Sequence, residues 1–427
     1  METKPRSADW RSILLIIFSL SGTLLTIGSA IGIMIFMAAN ENFLMQLNTP
    51  AIASILTAST LITIGLLLMP LTWLSVKRLR GGEFDSLILP PLRPWTWIAI
   101  PGLWLLVITL ASLFHDAPGA AWYLPILHFL SIALPIYLVV RIATNRISLG
   151  STQRAWTVFG IGMTLSPLLA VIAEIFMLGL GVLVIAVYLG FNPETMAKVE
   201  YLIEQIDQAP DMDSLVYLLG PLLKNPLTLL TALTFLSFLV PFIEESAKSL
   251  GIWLVSDRLR SPAQGFALGV LSGAGFALAE SLSASLTVDD TWGITLFVRA
   301  VSGSMHMLAT GLVGWGIAYA RLEKRYFRMI GMTLLAILLH AAWNAGAIFT
   351  IAGGARTMFA MPDFDFVGVL LAFGGMGLIL VLMSGMIVAF FVINPRLRTP
   401  SLPLPFPAEI GEERRISPLE EQDGGVE

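Results

Sequence analysis

Cysteine is absent from all 427 residues, which excludes disulfides and thiolate metal sites. Charge is scarce. Asp, Glu, Lys and Arg make up 13% of the chain against 56% hydrophobic residues, and mean hydropathy is +0.81. A soluble domain of this length does not need that balance, whereas a polytopic membrane protein does. Histidine is also rare, with 4 in the chain: His115, His128, His306 and His340. No glycine-rich phosphate loop and no His-Glu-x-x-His zinc signature is present. No segment outside the apolar runs is large enough for a soluble catalytic domain, and no nucleic-acid partner is expected.

What is present is a series of long apolar runs. Spans are expected at roughly 13–39, 52–75, 95–114, 121–143, 157–190, 227–256, 262–287, 294–320, 329–352 and 366–393, each able to cross about 30 Å of hydrocarbon as a helix. The fold class is therefore all-α, a membrane helix bundle of about ten spans. The first run exceeds a signal-peptide core and reads as an uncleaved anchor. The fifth is overlong and contains Pro167 and Glu174, which predicts a tilt or kink.

The basic residues are sorted by side. All but Lys198, Lys224, Lys248, Arg299 and Arg356 of the 25 Lys and Arg fall in the N-terminal segment, alternate loops and the C-terminal tail. That asymmetry places both termini in the cytoplasm. A plasma membrane, most simply a bacterial one, is the expected location, with the lipid bilayer as solvent. Between Asn192 and Asn225, residues Val199, Leu202, Ile203 and Ile206 share one helical face, which predicts a short helix on the outer leaflet. The Pro- and Glu-rich tail, 395–427, is expected to be disordered.

The ionisable residues inside the spans are Glu174, Glu244, Glu245, Lys248, Glu280, Arg299, His306 and His340. A charged side chain at mid-bilayer is costly and should face protein or a water-filled cavity. Most of these lie between 244 and 340, which divides the chain into accessory helices (1–150), a functional core (151–394) and the tail. Glu244 and Lys248 are four residues apart and Glu245 and Lys248 three, so either carboxylate can pair with the ammonium on one helical face. A structural pair needs one carboxylate. The second is free to be ionised or protonated by its surroundings, as a general base requires. Gly265, Gly269 and Gly273 form a ridge for close helix packing, which would hold Glu280, on the same helix, against a neighbour. His306 and His340 each lie about twelve residues inside their spans, roughly 18 Å at 1.5 Å per residue, near the midplane. His340 and Asn344 share a face.

Each feature alone has a bland reading. A single membrane histidine is most often an interhelical hydrogen bond, the Glu–Lys pair is structural about half the time, and the glycine ridge is packing. Glu174 and Arg299 read as structural or topological. The convergence of Glu, Glu, His and His from four helices at one depth points to a site.

At these residues the chain resembles the PrsW family of intramembrane proteases. The motifs are Glu-Glu-x-x-Lys at Glu244, Glu245 and Lys248; Phe-x-x-x-Glu at Phe276 and Glu280; a lone His306; and His-x-x-Trp-Asn at His340, Trp343 and Asn344. Together they cover roughly 155–350. Lys248 and Glu280 favour this branch over the CAAX endopeptidase and bacteriocin-processing relatives, while Ser281 departs from an expected Asn. The resemblance implies hydrolysis of a peptide bond in or beside a membrane segment. Glu244 or Glu245 would be the general base, His340 and Asn344 oxyanion donors, and His306 and Glu280 partners of the water or the leaving amine. A Zn²⁺ site is the alternative, with His306, His340 and Glu280 as candidate ligands. A single-pass regulator such as an anti-sigma factor is the substrate the resemblance suggests. The rivals are a proton-coupled transporter using the same Glu and His residues, which lacks support from any internal repeat, and a non-catalytic scaffold, which intact motifs argue against.

Overall fold

The computed structural model describes residues 9–40, 51–82, 84–209, 214, 218, 220–222, 224–360 and 364–398. Of the tail expected to be disordered from 395, the first three residues instead continue the last helix to Leu397; 399–427 and most of the loop after 209 lie outside the described residues. Among them, ten helical stretches are long and apolar enough to cross a membrane, and they coincide with the ten expected spans. The helices are α1 (Trp10–Ala39), α2 (Ala51–Leu79), α3 (Thr96–Phe114), α4 (Ala120–Ala143), α5 (Thr152–Met163), α6 (Leu165–Gly190), α7 (Pro193–Asp207), α8 (Pro226–Ala232), α9 (Val240–Lys248), α10 (Leu250–Val255), α11 (Pro262–Ala284), α12 (Trp292–Glu323), α13 (Tyr326–Ala360) and α14 (Phe366–Leu397). One feature departs from an all-helical chain. Two short strands, β1 (Ser86–Ile88) and β2 (Ser148–Ser151), pair antiparallel between the loops that follow α2 and α4.

The overlong fifth run breaks as its proline predicts. α5 and α6 meet at Thr164, whose backbone leaves the helical region (φ −124, ψ −63). Pro167 lacks the N–H that would bond Met163 four residues back. The sixth run is interrupted twice, by a π-helical stretch at Leu233–Leu239 between α8 and α9 and by a turn at Ser249 between α9 and α10. α7 forms where the amphipathic pattern predicts and contributes no fully buried residue.

The bundle inverts the rule of soluble proteins. Its most buried helices are its least apolar. α11 and α12 have the lowest hydropathies of the spans, 1.4 and 1.3, yet are 89% and 72% buried over their most apolar windows. Helices facing lipid must be apolar outward, while the interior tolerates small and polar residues. The glycine ridge explains the contact. A Cβ at Gly265, Gly269 or Gly273 would collide with the backbone carbonyls of Gly314, Thr310 and His306 of α12. On the opposite face, a Cβ at Gly275 would strike Phe159 O of α5. α11 is therefore clamped backbone to backbone between α12 and α5.

α1 and α2 form a paired wall. Ser19 Oγ and Thr72 Oγ1 are 2.7 Å apart, and Thr23 Oγ1 donates to Gly65 O at 3.1 Å. The pair is tied to the core at one end, where Gln153 Nε2 donates to Ser12 and Ser75 and Arg11 Nη1 reaches Asp257 Oδ2 at 2.8 Å.

Candidate active site

Four helices deliver polar groups to one point: Glu244, Glu245 and Lys248 from α9, Phe276 and Glu280 from α11, His306 from α12 and His340 from α13. Lys248 sits at the centre with no exposed surface. Its Nζ lies 2.8 Å from Glu244 Oε2, from Glu245 Oε1 and from His306 Nδ1. An ammonium has three N–H bonds, so these acceptors satisfy it completely. The Phe276 ring lies beneath it, 4.0 Å from Nζ to the centroid, in cation–π geometry.

The two adjacent glutamates differ. Glu245 is fully buried with both oxygens engaged: Oε1 accepts from Lys248 and from His340 Nδ1 at 3.0 Å, and Oε2 accepts from Thr310 Oγ1 at 3.1 Å. Among the described residues Glu244 accepts from Lys248 alone, through Oε2. Its side chain keeps 11% exposure against 0% for Glu245, and it lines a large cavity together with Glu280 and Phe276.

Carboxylates flank both imidazoles. His340 donates through Nδ1 to a carboxylate, which leaves a lone pair on Nε2, 3.8 Å from Glu244 Oε2. His306 accepts the Lys248 proton at Nδ1, so its own N–H is on Nε2, 2.7 Å from Glu280 Oε2. The rings meet edge to face, centroids 5.0 Å apart. Glu280 is also held by Arg299 Nη2, 2.7 Å from Oε1.

The backbone beneath the cluster is irregular, and side chains satisfy it. Ser166 Oγ donates to Ala247 O at 2.9 Å, and Ser272 Oγ to Lys248 O at 2.7 Å, where α9 ends. Pro241 has no N–H. In the i→i+5 register of the π stretch, its missing donor would belong to Leu236 O. Asn344 Nδ2 supplies a donor there at 2.8 Å.

The structure thus brings together Glu244, Glu245, Lys248, Phe276, Glu280, His306 and His340. It does not bring Asn344 to the cluster, because that amide is committed to Leu236 O. Trp343 is buried in the main apolar core. Arg299, read from sequence as structural, closes the cluster beyond Glu280, and Thr310 was not singled out at all. A signal existed. Arg299 and Thr310 lie seven residues before and four residues after His306, on its helical face.

Residues 154–393 match the family model described as PrsW family intramembrane metalloprotease. The chain belongs to the PrsW family. It is a peptide hydrolase of the membrane, which sets aside the transporter reading. No curated protein and no solved structure matches the chain.

Membership in a family described as metalloproteases makes a metal ion the implied cofactor. Ligand atoms of Glu244, His306 and His340 lie within 4.8 Å of one another, so the carboxylate that joins the two histidines is Glu244 and not the expected Glu280. Glu280 lies on the far side of His306. By type, two imidazoles and a carboxylate suit zinc. By arrangement they do not fit. The Lys248 ammonium already occupies Glu244 Oε2 and the Nδ1 lone pair of His306, which takes His306 out of the set and leaves His340 Nε2 and Glu244 Oε1 as two open donors where a catalytic zinc site uses three.

Proposed function

We propose that this PrsW family member hydrolyses a peptide bond in or next to the membrane segment of a membrane-protein substrate, with Glu244 as general base. The observation that carries this is the contrast between neighbours. Glu245 is saturated and enclosed, whereas Glu244 has a free oxygen on the wall of a cavity. A base must reach the proton it removes.

In this reading Glu244 takes a proton from water, the water oxygen bonds to the scissile carbonyl carbon, the C–N bond breaks, and the proton ends on the leaving amine. Lys248 is the fixed positive charge nearest the developing oxyanion, in a setting where preorganised charge acts strongly. Glu245 and Glu280 orient His340 and His306. Arg299 anchors Glu280, and Asn344 positions α13 against the π stretch that precedes α9. The substrate backbone must unwind locally, because a hydrogen-bonded helix shields its carbonyls.

Single-pass regulators such as anti-sigma factors are the proposed substrates. The proposed setting is a bacterial plasma membrane with both termini in the cytoplasm, and 151–394 as the catalytic core. The test compares membrane-proteome cleavage products in cells expressing the chain or its Glu244→Gln variant at equal abundance. Products that depend on Glu244 are expected; identical product sets would sink the assignment.

A further inference from the structure

Beside the cluster lies a cavity of about 1320 Å³, larger than the ~300–1,000 Å³ of small-molecule sites. It opens directly onto Glu244 and Glu280. Its other walls are Phe18 and Leu25 of α1, Leu61 of α2 and Leu168 of α6, and Leu25 and Leu168 are strongly exposed on the bundle's apolar flank. α1 and α2 lie outside the residues matched by the family, so this wall belongs to the chain's own N-terminal part. Its position is fixed by the Arg11–Asp257 pair at one end and by the α1–α2 hydrogen bonds along its length.

One polar group on the wall has no role in the cluster. Glu174 of α6 faces the same cavity, and its buried Oε1 has no hydrogen-bond partner among the described residues. The local charges do not balance. Lys248 is committed to Glu244 and Glu245, and Arg299 to Glu280. Among the described residues Glu174 is left without a cation, in a setting where isolated charge is expensive. A guest that is apolar along most of its length and brings one cation would complement both the walls and this carboxyl group.

We infer that this cavity receives the membrane segment of the substrate, and that Glu174 selects a segment carrying a basic side chain. The inference rests on the protease reading for the word substrate. Since most membrane segments lack an internal Lys or Arg, such a reader rejects most of them.

The absence of cysteine allows single-thiol variants with no background. In the full chain with Glu244→Gln, Leu25→Cys on the cavity wall is compared with Val381→Cys, which lies exposed on α14. The probes are a leucine–alanine transmembrane peptide with one central lysine beside a cysteine, and the same peptide with leucine for lysine, in phosphatidylcholine–phosphatidylglycerol vesicles. Disulfide capture is read for each pair. Leu25→Cys is expected to capture the lysine peptide about tenfold more than the leucine peptide, roughly one factor of ten in binding. Val381→Cys should capture both poorly. Adding Glu174→Gln should make the two peptides equal at position 25 while the melting temperature is unchanged. Equal capture at 25 and 381 overturns the groove. Equal capture of both peptides at 25, or a preference that survives Glu174→Gln, overturns the role of Glu174. Capture at 25 without cleavage by the chain that retains Glu244 supports the groove and counts instead against the protease reading.

Discussion

Lys248 Nζ and His306 Nδ1 lie 2.8 Å apart, joining α9 to α12 through a buried ammonium that also holds both glutamates. This contact places a cation where a metal would have to bind. It decides how the site is read, because the same side chains without Lys248 would look like an open zinc centre.

If the ammonium stands in for a metal, a chelator should leave proteolysis by the purified chain within about twofold, whereas losing a catalytic metal removes several kcal/mol of transition-state stabilisation. Lys248→Met should uncover Glu244, His306 and His340. Zinc is then expected to raise the melting temperature of the variant in detergent and not that of the parent. Zinc stabilisation of the parent would show that metal displaces the ammonium.

Glu244→Gln and Glu245→Gln should fail differently. The first removes the proposed base and should lower turnover by about 10²–10⁴-fold with little change in stability. The second breaks a fully buried pair and should cost on the order of 3–5 kcal/mol, read as a lower melting temperature and lower abundance. Equal melting temperatures for the two variants would mean that the burial contrast does not separate their roles.

Asn344→Leu tests a residue whose sequence motif and contacts disagree. As donor to Leu236 O it should be worth about 1 kcal/mol of stability and less than about tenfold in rate. An oxyanion donor would cost about 10²–10³-fold in kcat with an unchanged melting temperature. Thermal unfolding and turnover on one preparation separate the two.

The glycine clamp predicts a position effect within one residue type. Gly269→Leu drives a side chain into the backbone of Thr310 and Gly311 and should cost at least about 3 kcal/mol, the upper range for overpacking. Gly374→Ala meets nothing within 4 Å and should be neutral or slightly stabilising through its helix propensity. Chemical denaturation in mixed micelles compares them.

The sequence alone determined the features that depend on local order along the chain. Ten apolar runs follow from composition, because a backbone in hydrocarbon must satisfy itself as helix. The break near Pro167, the amphipathic 193–207 helix and the ridge at Gly265, Gly269 and Gly273 follow from residue geometry and helical period. So do the pairings within single helices, since Glu244 with Lys248 and Phe276 with Glu280 each lie one helical turn apart. Tertiary structure decided the relations between helices, which no periodicity encodes. The proximity of α13 closes Glu245 with His340, and that of α12 closes it with Thr310, while Glu244 remains open to the cavity. Packing of α9 on α12 brings Lys248 against His306, and backbone contact between α11 and α12 pairs Glu280 with Arg299. The Asn344 amide donates to Leu236 O, the carbonyl that Pro241 leaves without a donor in the π register. Glu174 of α6 joins Glu244 and Glu280 on one cavity wall, a placement set by how α6 packs beside α9 and α11. Distances of 2.7–3.1 Å among these groups arise only when helices distant in sequence pack at one register, and that register is set by small residues acting together across the bundle.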